Sequence, residues 1–207
     1  MTSGFHSEQE QFWAGEFGDA YIERNPTDKE TGARLSLFAR IFARTTGVGS
    51  AIEFGANIGN NLKALRQLFP SMELAGVEIN RKAAERLGQW GEATVHRQSI
   101  LDFIPERSWD FAFVSGVLIH INPELLPEVY ARLHQAACRY IAVIEYYNPA
   151  PVEVSYRGHS GRLFKRDFAG EMLERYPDLS LVDYGFVYHR DPNFPLDDLT
   201  WFLMEKR

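Results

Sequence analysis

Three groups of residues in this sequence have the types and spacing that chemistry requires. The first is Ala51-Ile52-Glu53-Phe54-Gly55-Ala56-Asn57-Ile58-Gly59-Asn60-Asn61, an apolar run feeding a turn with glycines at 55 and 59 and then a helix. Glycine lets another group approach the backbone closely, Asn57 tolerates a left-handed backbone, and the helix start offers unpaired N–H groups. The second is Glu78, which ends the next apolar run within Gly76-Val77-Glu78-Ile79-Asn80. In a doubly wound sheet a carboxylate there reaches the crevice beside the glycine turn, where it can grip a ribose diol. Glu53, ahead of Gly55, is expected to orient loop N–H groups or a ligand ammonium rather than meet an anion. The third group is His120 with Tyr146 and Tyr147, at the ends of the fourth and fifth apolar runs. A histidine at that rim can act as a base, and one tyrosine can orient a reactant while the other packs.

Other nucleotide and metal chemistries fit less well. A pyrophosphate site wants Gly-x-Gly-x-x-Gly, whereas this loop has Gly-x-x-x-Gly with an acid in front. No Gly-Lys-Ser/Thr follows, which excludes a P-loop, and the histidines and single cysteine show no metal-ligand spacing, so no metal is expected.

Arg157, His159, Arg162, Lys165 and Arg166 form the densest cationic run of a chain whose net charge is -6. Such a run suits an acidic small molecule, with arginine as a bidentate carboxylate clamp; Tyr188 and His189 could contribute from the other side. Trp13, Phe17 and Tyr21 exceed what a solvated leader needs. They are expected to form a lid that excludes water, with Arg24 and Asn25 at the ligand. Packing against the sheet edge explains the same aromatics.

The elements that must position these groups follow from periodicity. Residues 9–24 and 32–45 read as amphipathic helices, broken at Asn25-Pro26-Thr27-Asp28 because a residue before proline avoids helical backbone. Apolar runs at 50–54, 74–78, 93–96, 109–115 and 140–145 alternate with helical segments at 60–69, 81–90 and 123–137. Strands apolar on both faces and separated by helices predict an α/β fold with a doubly wound, mostly parallel sheet. A helix at 167–176 and strands at 180–189 and 199–205 complete a seven-stranded sheet ending in an antiparallel hairpin.

At 207 residues, with 45% hydrophobic and 24% charged residues, the chain is expected to be one globular domain, neither disordered nor coiled coil. An excess of 28 acidic over 22 basic residues disfavours nucleic acid as a partner. The N-terminus lacks the basic start and apolar core of a signal peptide, and no apolar run approaches the roughly 20 residues that span a bilayer. Cys138, in Ala136-Ala137-Cys138, is expected to pack in the core in a reducing compartment. A cytoplasmic protein without a membrane partner is the expectation.

The string Glu53-Phe54-Gly55-Ala56-Asn57-Ile58-Gly59-Asn60 resembles the first motif, acid-x-Gly-x-Gly-x-Gly, of the class I S-adenosylmethionine-dependent methyltransferases, with Asn57 in place of one glycine. The resemblance implies their Rossmann-like fold, S-adenosylmethionine as cofactor and S-adenosylhomocysteine as product. It places Gly55, Ala56, Asn57, Gly59 and Asn60 around the methionine part, Glu78 at the ribose hydroxyls and Ile79 at the adenine. Gln98 or Ser99, beside Ile100, would stand in for the family's acidic residue near the base. Ser115-Gly116-Val117, leading to His120, would pass under the sulfonium, and Trp13 would cover the cofactor. The strings Phe12-Trp13-Ala14-Gly15-Glu16-Phe17-Gly18-Asp19-Ala20-Tyr21, Glu145-Tyr146-Tyr147-Asn148-Pro149 and Tyr156-Arg157-Gly158-His159-Ser160-Gly161-Arg162 resemble methylases associated with pseudaminic acid biosynthesis.

The implied organisation is a helical lid over residues 1–46 and a cofactor-binding domain over 47–207, with an acceptor-site insertion at about 146–178. The implied reaction is methyl transfer to oxygen or nitrogen of a small anionic metabolite, such as an acidic sugar or its precursor. A hydroxyl acceptor needs a base, whereas an amine needs only to arrive neutral. An amino-acid or other carboxylate methyltransferase is an alternative, as is an inactive cofactor-binding partner protein. Either a monomer or a homodimer fits.

Overall fold

The computed structural model describes residues 4–24 and 30–207; Asn25 and the break expected at 25–28 lie outside them. The strands are β1 (Ser50–Phe54), β2 (Glu73–Val77), β3 (Thr94–His96), β4 (Trp109–Ser115), β5 (Ala137–Glu145), β6 (Val152–Glu153), β7 (Phe164–Lys165), β8 (Leu179–Phe186) and β9 (Thr200–Lys206). The helices are α1 (Glu8–Ala14), α2 (Glu16–Arg24), α3 (Thr31–Phe42), α4 (Asn60–Leu68), α5 (Arg81–Trp90), α6 (Leu126–Ala136) and α7 (Phe168–Arg175). Seven strands form one sheet in the order β3-β2-β1-β4-β5-β9-β8. The first five are parallel, and β9 runs antiparallel to both β5 and β8.

β1 is buried along its whole length, as a strand covered on both faces must be. Ile52, Phe54, Val77, Val114 and Val143 pack on one face with Val129, Leu133 and Met172 of α6 and α7. Phe111, Phe113, Ala142 and Ile144 pack on the other with Phe38, Ile41 and Leu65 of α3 and α4. No described helix is long and apolar enough to cross a membrane.

Four local expectations are corrected. Residues 9–24 form two helices, because Gly15 is extended (φ -98°, ψ -154°). The corner brings α2 so close to α1 that a Cβ on Gly18 would lie 1.8 Å from the carbonyl oxygen of Trp13. β5 begins at Ala137 rather than at 140. Cys138 is exposed, not packed: the register with β4 is irregular between Trp109 and Phe111, which turns it outward to 3.6 Å from Asp110 Oδ1. The segment 146–166 also contains a short antiparallel pair, β6 with β7, that periodicity does not reveal over so few residues.

Polar contacts help to hold the N-terminal helices over the sheet. Asn80 Nδ2 donates to the Trp13 carbonyl (3.1 Å) and to Asp19 (3.0 Å), and Lys82 pairs with Asp19 at 2.6 Å. Glu23 pairs with Arg86, and Arg162 with Glu8 at 3.1 Å. Apolar contact accompanies them: Ile22 packs against Ile58 and Ala83, and the rings of Phe12, Trp13 and Phe17 meet His120, Tyr156 and His159.

Candidate active site

The strand order reverses between β1 and β4, and ligands of open α/β sheets bind at the carboxyl ends beside such a reversal. A cavity lies there. Gly55 and Asn57 line it from the turn after β1, Glu78, Ile79 and Asn80 from the end of β2, and Ile100 and Leu101 from beyond β3. Gly116, Val117 and His120 line it from the end of β4, while Gln9, Glu10, Trp13, Gly18 and Tyr21 cover it.

The turn is left-handed at three residues, Gly55 (φ 77°), Asn57 (φ 49°) and Gly59 (φ 80°). Gly55 and Gly59 are required by close packing as well, since a Cβ would meet Val117 at 2.5 Å and Leu87 at 2.4 Å. Every N–H from 55 to 59 is already committed. Gly55 and Ala56 donate to the Val77 carbonyl (2.8 and 3.0 Å), and Gly59 donates to Ala56 (2.9 Å). Asn57 donates to Glu78 Oε2 and Ile58 to the Asn57 side chain, both at 2.7 Å. Glu78 Oε1 accepts from the backbone of Asn80 at 2.7 Å. Burial pushes the Glu78 carboxyl up from its ordinary range, and the N–H bonds oppose that shift.

His120 sits in a single 3₁₀ turn, Leu118–His120. Its Nδ1 lies 2.6 Å from the Arg162 carbonyl oxygen. A carbonyl only accepts, so Nδ1 carries the proton and Nε2 the lone pair. Burial lowers the imidazole pKa to about 4, so the ring is neutral at physiological pH. It packs against Trp13 (4.6 Å between centroids) and Tyr156 (4.9 Å). The turn beneath it is pinned by Glu145, whose Oε1 accepts from Val117 (2.8 Å) and Leu118 (2.9 Å). Burial pushes that carboxyl up to about 7.

The His120 shift has a measurable consequence. A histidine whose folded pKa falls below its unfolded value stabilises the fold fully above the unfolded pKa of about 6.5, and that stability is lost as pH falls towards the folded value. Relative to His120→Asn, wild type should lose roughly 2 kcal/mol of unfolding free energy between pH 7.5 and pH 5. Denaturant titrations at the two pH values check this; a pH-independent difference would contradict the buried neutral imidazole.

Several expected site residues lie elsewhere. Glu53 does not orient the loop. Its side chain is turned under α3 and α4, where Oε1 accepts from Asn61 Nδ2 at 2.6 Å and Arg34 in turn holds Asn61 at 2.6 Å. Among the described residues its Oε2 is buried without a partner, as is Asn60 Oδ1, and burial pushes the Glu53 carboxyl up to about 8. Ala56 is buried against Gly76, and Ser115 closes β4 in register with Ile144. Gln98 is exposed and off the cavity, while Ser99 is buried and donates its hydroxyl to Glu10.

The basic run does not converge. Arg162 is spent on Glu8 and Arg166 on Glu171 at 3.3 Å, and Lys165 lies 4.9 Å over the Tyr146 ring. Arg157 stands over Tyr156 (5.8 Å), and Arg24 over Phe17 (5.2 Å) and Tyr21 (5.9 Å); neither forms an ion pair among the described residues. Phe17 meets Tyr156 at 5.9 Å and His159 at 6.0 Å, so these two guanidiniums flank one aromatic group, which reaches the cavity-lining Trp13 and His120 through Phe17 and Tyr156. Tyr146 is partly buried with its hydroxyl turned towards Asp197. Tyr147 is 42% exposed and packs on Phe202 at 5.9 Å, away from the cavity. Tyr188 is exposed, and His189 is paired with Asp198 (2.8 Å) beside a separate depression that includes Glu30 and Asp197.

No family model matches the sequence, and no curated protein matches it. Solved structures do match in shape. Magnesium protoporphyrin IX methyltransferase from Synechocystis PCC 6803 with bound SAM is 13% identical, with 100% of both chains covered and a TM-score of 0.69. The Burkholderia thailandensis 1,6-didemethyltoxoflavin-N1-methyltransferase, with its substrate and S-adenosylhomocysteine, is 15% identical. It covers 100% of this chain and 93% of its own, with a TM-score of 0.73. A glycopeptide N-methyltransferase complexed with S-adenosylhomocysteine is 12% identical, covering 94% of this chain and 99% of its own, with a TM-score of 0.65. The chain has the seven-stranded Rossmann-like fold of these methyltransferases.

Proposed function

We propose that the chain is an S-adenosylmethionine-dependent methyltransferase acting at oxygen or nitrogen of a small anionic metabolite. The carrying observation is the saturated turn. With all N–H groups from 55 to 59 committed and a carboxylate, Glu78, facing the cavity, a pyrophosphate would find no donors along 55–59 and a like charge instead. A nucleoside bearing a cationic centre suits the same surroundings. Glu78 would hold the ribose hydroxyls, and Ile79 and Ile100 the base. When bound, S-adenosylmethionine supplies an electrophilic methyl group.

The chain's own residues do the rest. His120 Nε2, neutral and held by Nδ1, takes the proton of a hydroxyl acceptor; for an amine it positions. Trp13 and Tyr21 exclude water as part of a lid formed by the N-terminal helices. The anionic acceptor is supported by Arg24 and Arg157, two guanidiniums that flank the aromatic group beside the cavity and pair with no carboxylate among the described residues. An acidic sugar or its precursor, as the pseudaminic-acid resemblance implies, is the first class to screen, and amino acids and other carboxylates the second.

Isothermal titration tests the reading. S-adenosylmethionine and S-adenosylhomocysteine should bind in the micromolar range and NAD should give no heat. Methyl-donor assays over acidic sugars and amino acids then identify the acceptor. Binding of NAD in place of the sulfur nucleosides would overturn the cofactor.

A further inference from the structure

The cavity follows the carboxyl ends of β4, β1, β2 and β3 in that spatial order. If Glu78, after β2, holds a ribose, the base lies on the β3 side of it; the inference below rests on that cofactor reading. The walls there are Ile79, Ala83, Ile100 and Leu101, apolar surfaces suited to a flat purine. Glu10 brings a carboxylate to the same end, and it comes from α1 rather than from the sheet.

Glu10 is 8% exposed. One of its oxygens accepts from the Ser99 hydroxyl and the other from the His6 backbone N–H at 2.8 Å. Ser99 Oγ itself accepts from Leu101 N–H at 3.0 Å, so the serine's one proton is directed at Glu10. A carboxylate offers about four acceptor sites, and two neutral donors leave acceptor capacity on both oxygens. No described lysine or arginine pairs with Glu10, and the His6 imidazole beside it is turned to Asp102 at 2.7 Å. A buried charge served by two neutral donors is short of hydrogen bonds, and the open side of this one is the cavity.

We propose that Glu10 reads the base by accepting a hydrogen bond from the 6-amino group of adenine, which makes the N-terminal helix part of the nucleoside site. A carboxylate has only acceptors to present. A 6-oxo purine would set its carbonyl oxygen against them in place of the amino donor, and the one donor left on that edge, N1–H, lies a ring position away.

The test is isothermal titration of the full chain with S-adenosylhomocysteine and with S-inosylhomocysteine, its 6-oxo counterpart. Wild type should prefer the amino compound by about 10- to 100-fold, the worth of one charge-assisted hydrogen bond. Glu10→Gln presents a donor as well as an acceptor, and the preference should fall to within about threefold. Glu10→Asp keeps the charge but withdraws it by one methylene; it should lose affinity for the amino compound and not for the oxo one. A merely structural role would weaken both ligands equally. Retention of the wild-type preference in Glu10→Gln, or equal loss for both ligands in Glu10→Asp, overturns the proposal. Failure of wild type to bind either ligand overturns the cofactor reading, and this inference with it.

Discussion

Glu78→Ala should reduce affinity for S-adenosylhomocysteine by about 100-fold or more, since two hydrogen bonds to an ionised acceptor are worth roughly 1.5–3 kcal/mol each. The buried carboxylate is held in place by the N–H groups of Asn57 and Asn80. Its orientation is fixed before a ligand arrives, so little affinity is lost to ordering it. The substitution also releases the Asn57 N–H, the residue with φ 49° at the centre of the turn, and so loosens the floor of the cavity. Glu78→Gln retains one oxygen acceptor and should fall between wild type and Ala. Calorimetric titration of the three proteins decides the matter. An Ala variant within about threefold of wild type would remove Glu78 from the binding site.

The second large effect concerns Gly18. By helix propensity alone, Gly18→Ala should stabilise α2 by about 1 kcal/mol. The structure reverses the sign. A Cβ there would lie 1.8 Å from the Trp13 carbonyl oxygen and 2.8 Å from Asn80 Nδ2. The first neighbour is backbone and cannot step aside, so α1 and α2 must separate, and the bonds from Asn80 to Trp13 and Asp19 go with them. Overpacking of this kind costs about 1–3 kcal/mol or more. The expected result is early proteolysis near Gly15 and at least a tenfold loss of S-adenosylhomocysteine affinity, with a sheet that still unfolds cooperatively. Gly88→Ala in α5 is the control: nothing lies within 4 Å of its built Cβ, and it should gain up to about 1 kcal/mol. Equal behaviour of the two variants in denaturation and proteolysis would contradict the close α1–α2 corner.

Much of the framework is readable from the chain because burial on both faces leaves its mark on composition. The run 50–54 could hardly be anything but a central strand, and the C-terminal hairpin is announced by the proline-rich join at 191–195. The break at Gly15 is invisible, since the aromatic stripe of Phe12, Trp13, Phe17 and Tyr21 continues through it in helical step. Glu10 carries no signal in the sequence, and only tertiary contact with Ser99 reveals that it is buried. Glu145 is likewise hidden, because its use depends on a neighbouring strand delivering Val117 and Leu118 to its side chain. Asn80 left a signal that could have been followed: asparagine before a helical run is a favoured cap, and it does cap α5 at Ala83. The basic run misleads for the opposite reason. Charge density along the chain says nothing of acidic partners such as Glu8, far away in sequence, that neutralise it.

The committed N–H groups of the glycine turn bear on how this protein can change over evolutionary time. A switch to a phosphate-bearing cofactor requires donors at 57 and 58, but the first is held by Glu78 and the second by the side chain of Asn57. Replacing either residue alone frees one donor and leaves the other engaged. Replacing Glu78 first also releases the Asn80 backbone that it holds. Each single step therefore passes through a protein that serves neither ligand well, and the two positions must drift together. Under the proposed cofactor, the bonds between the turn and Glu78 would resist a change of ligand class more than the apolar lining of the cavity does.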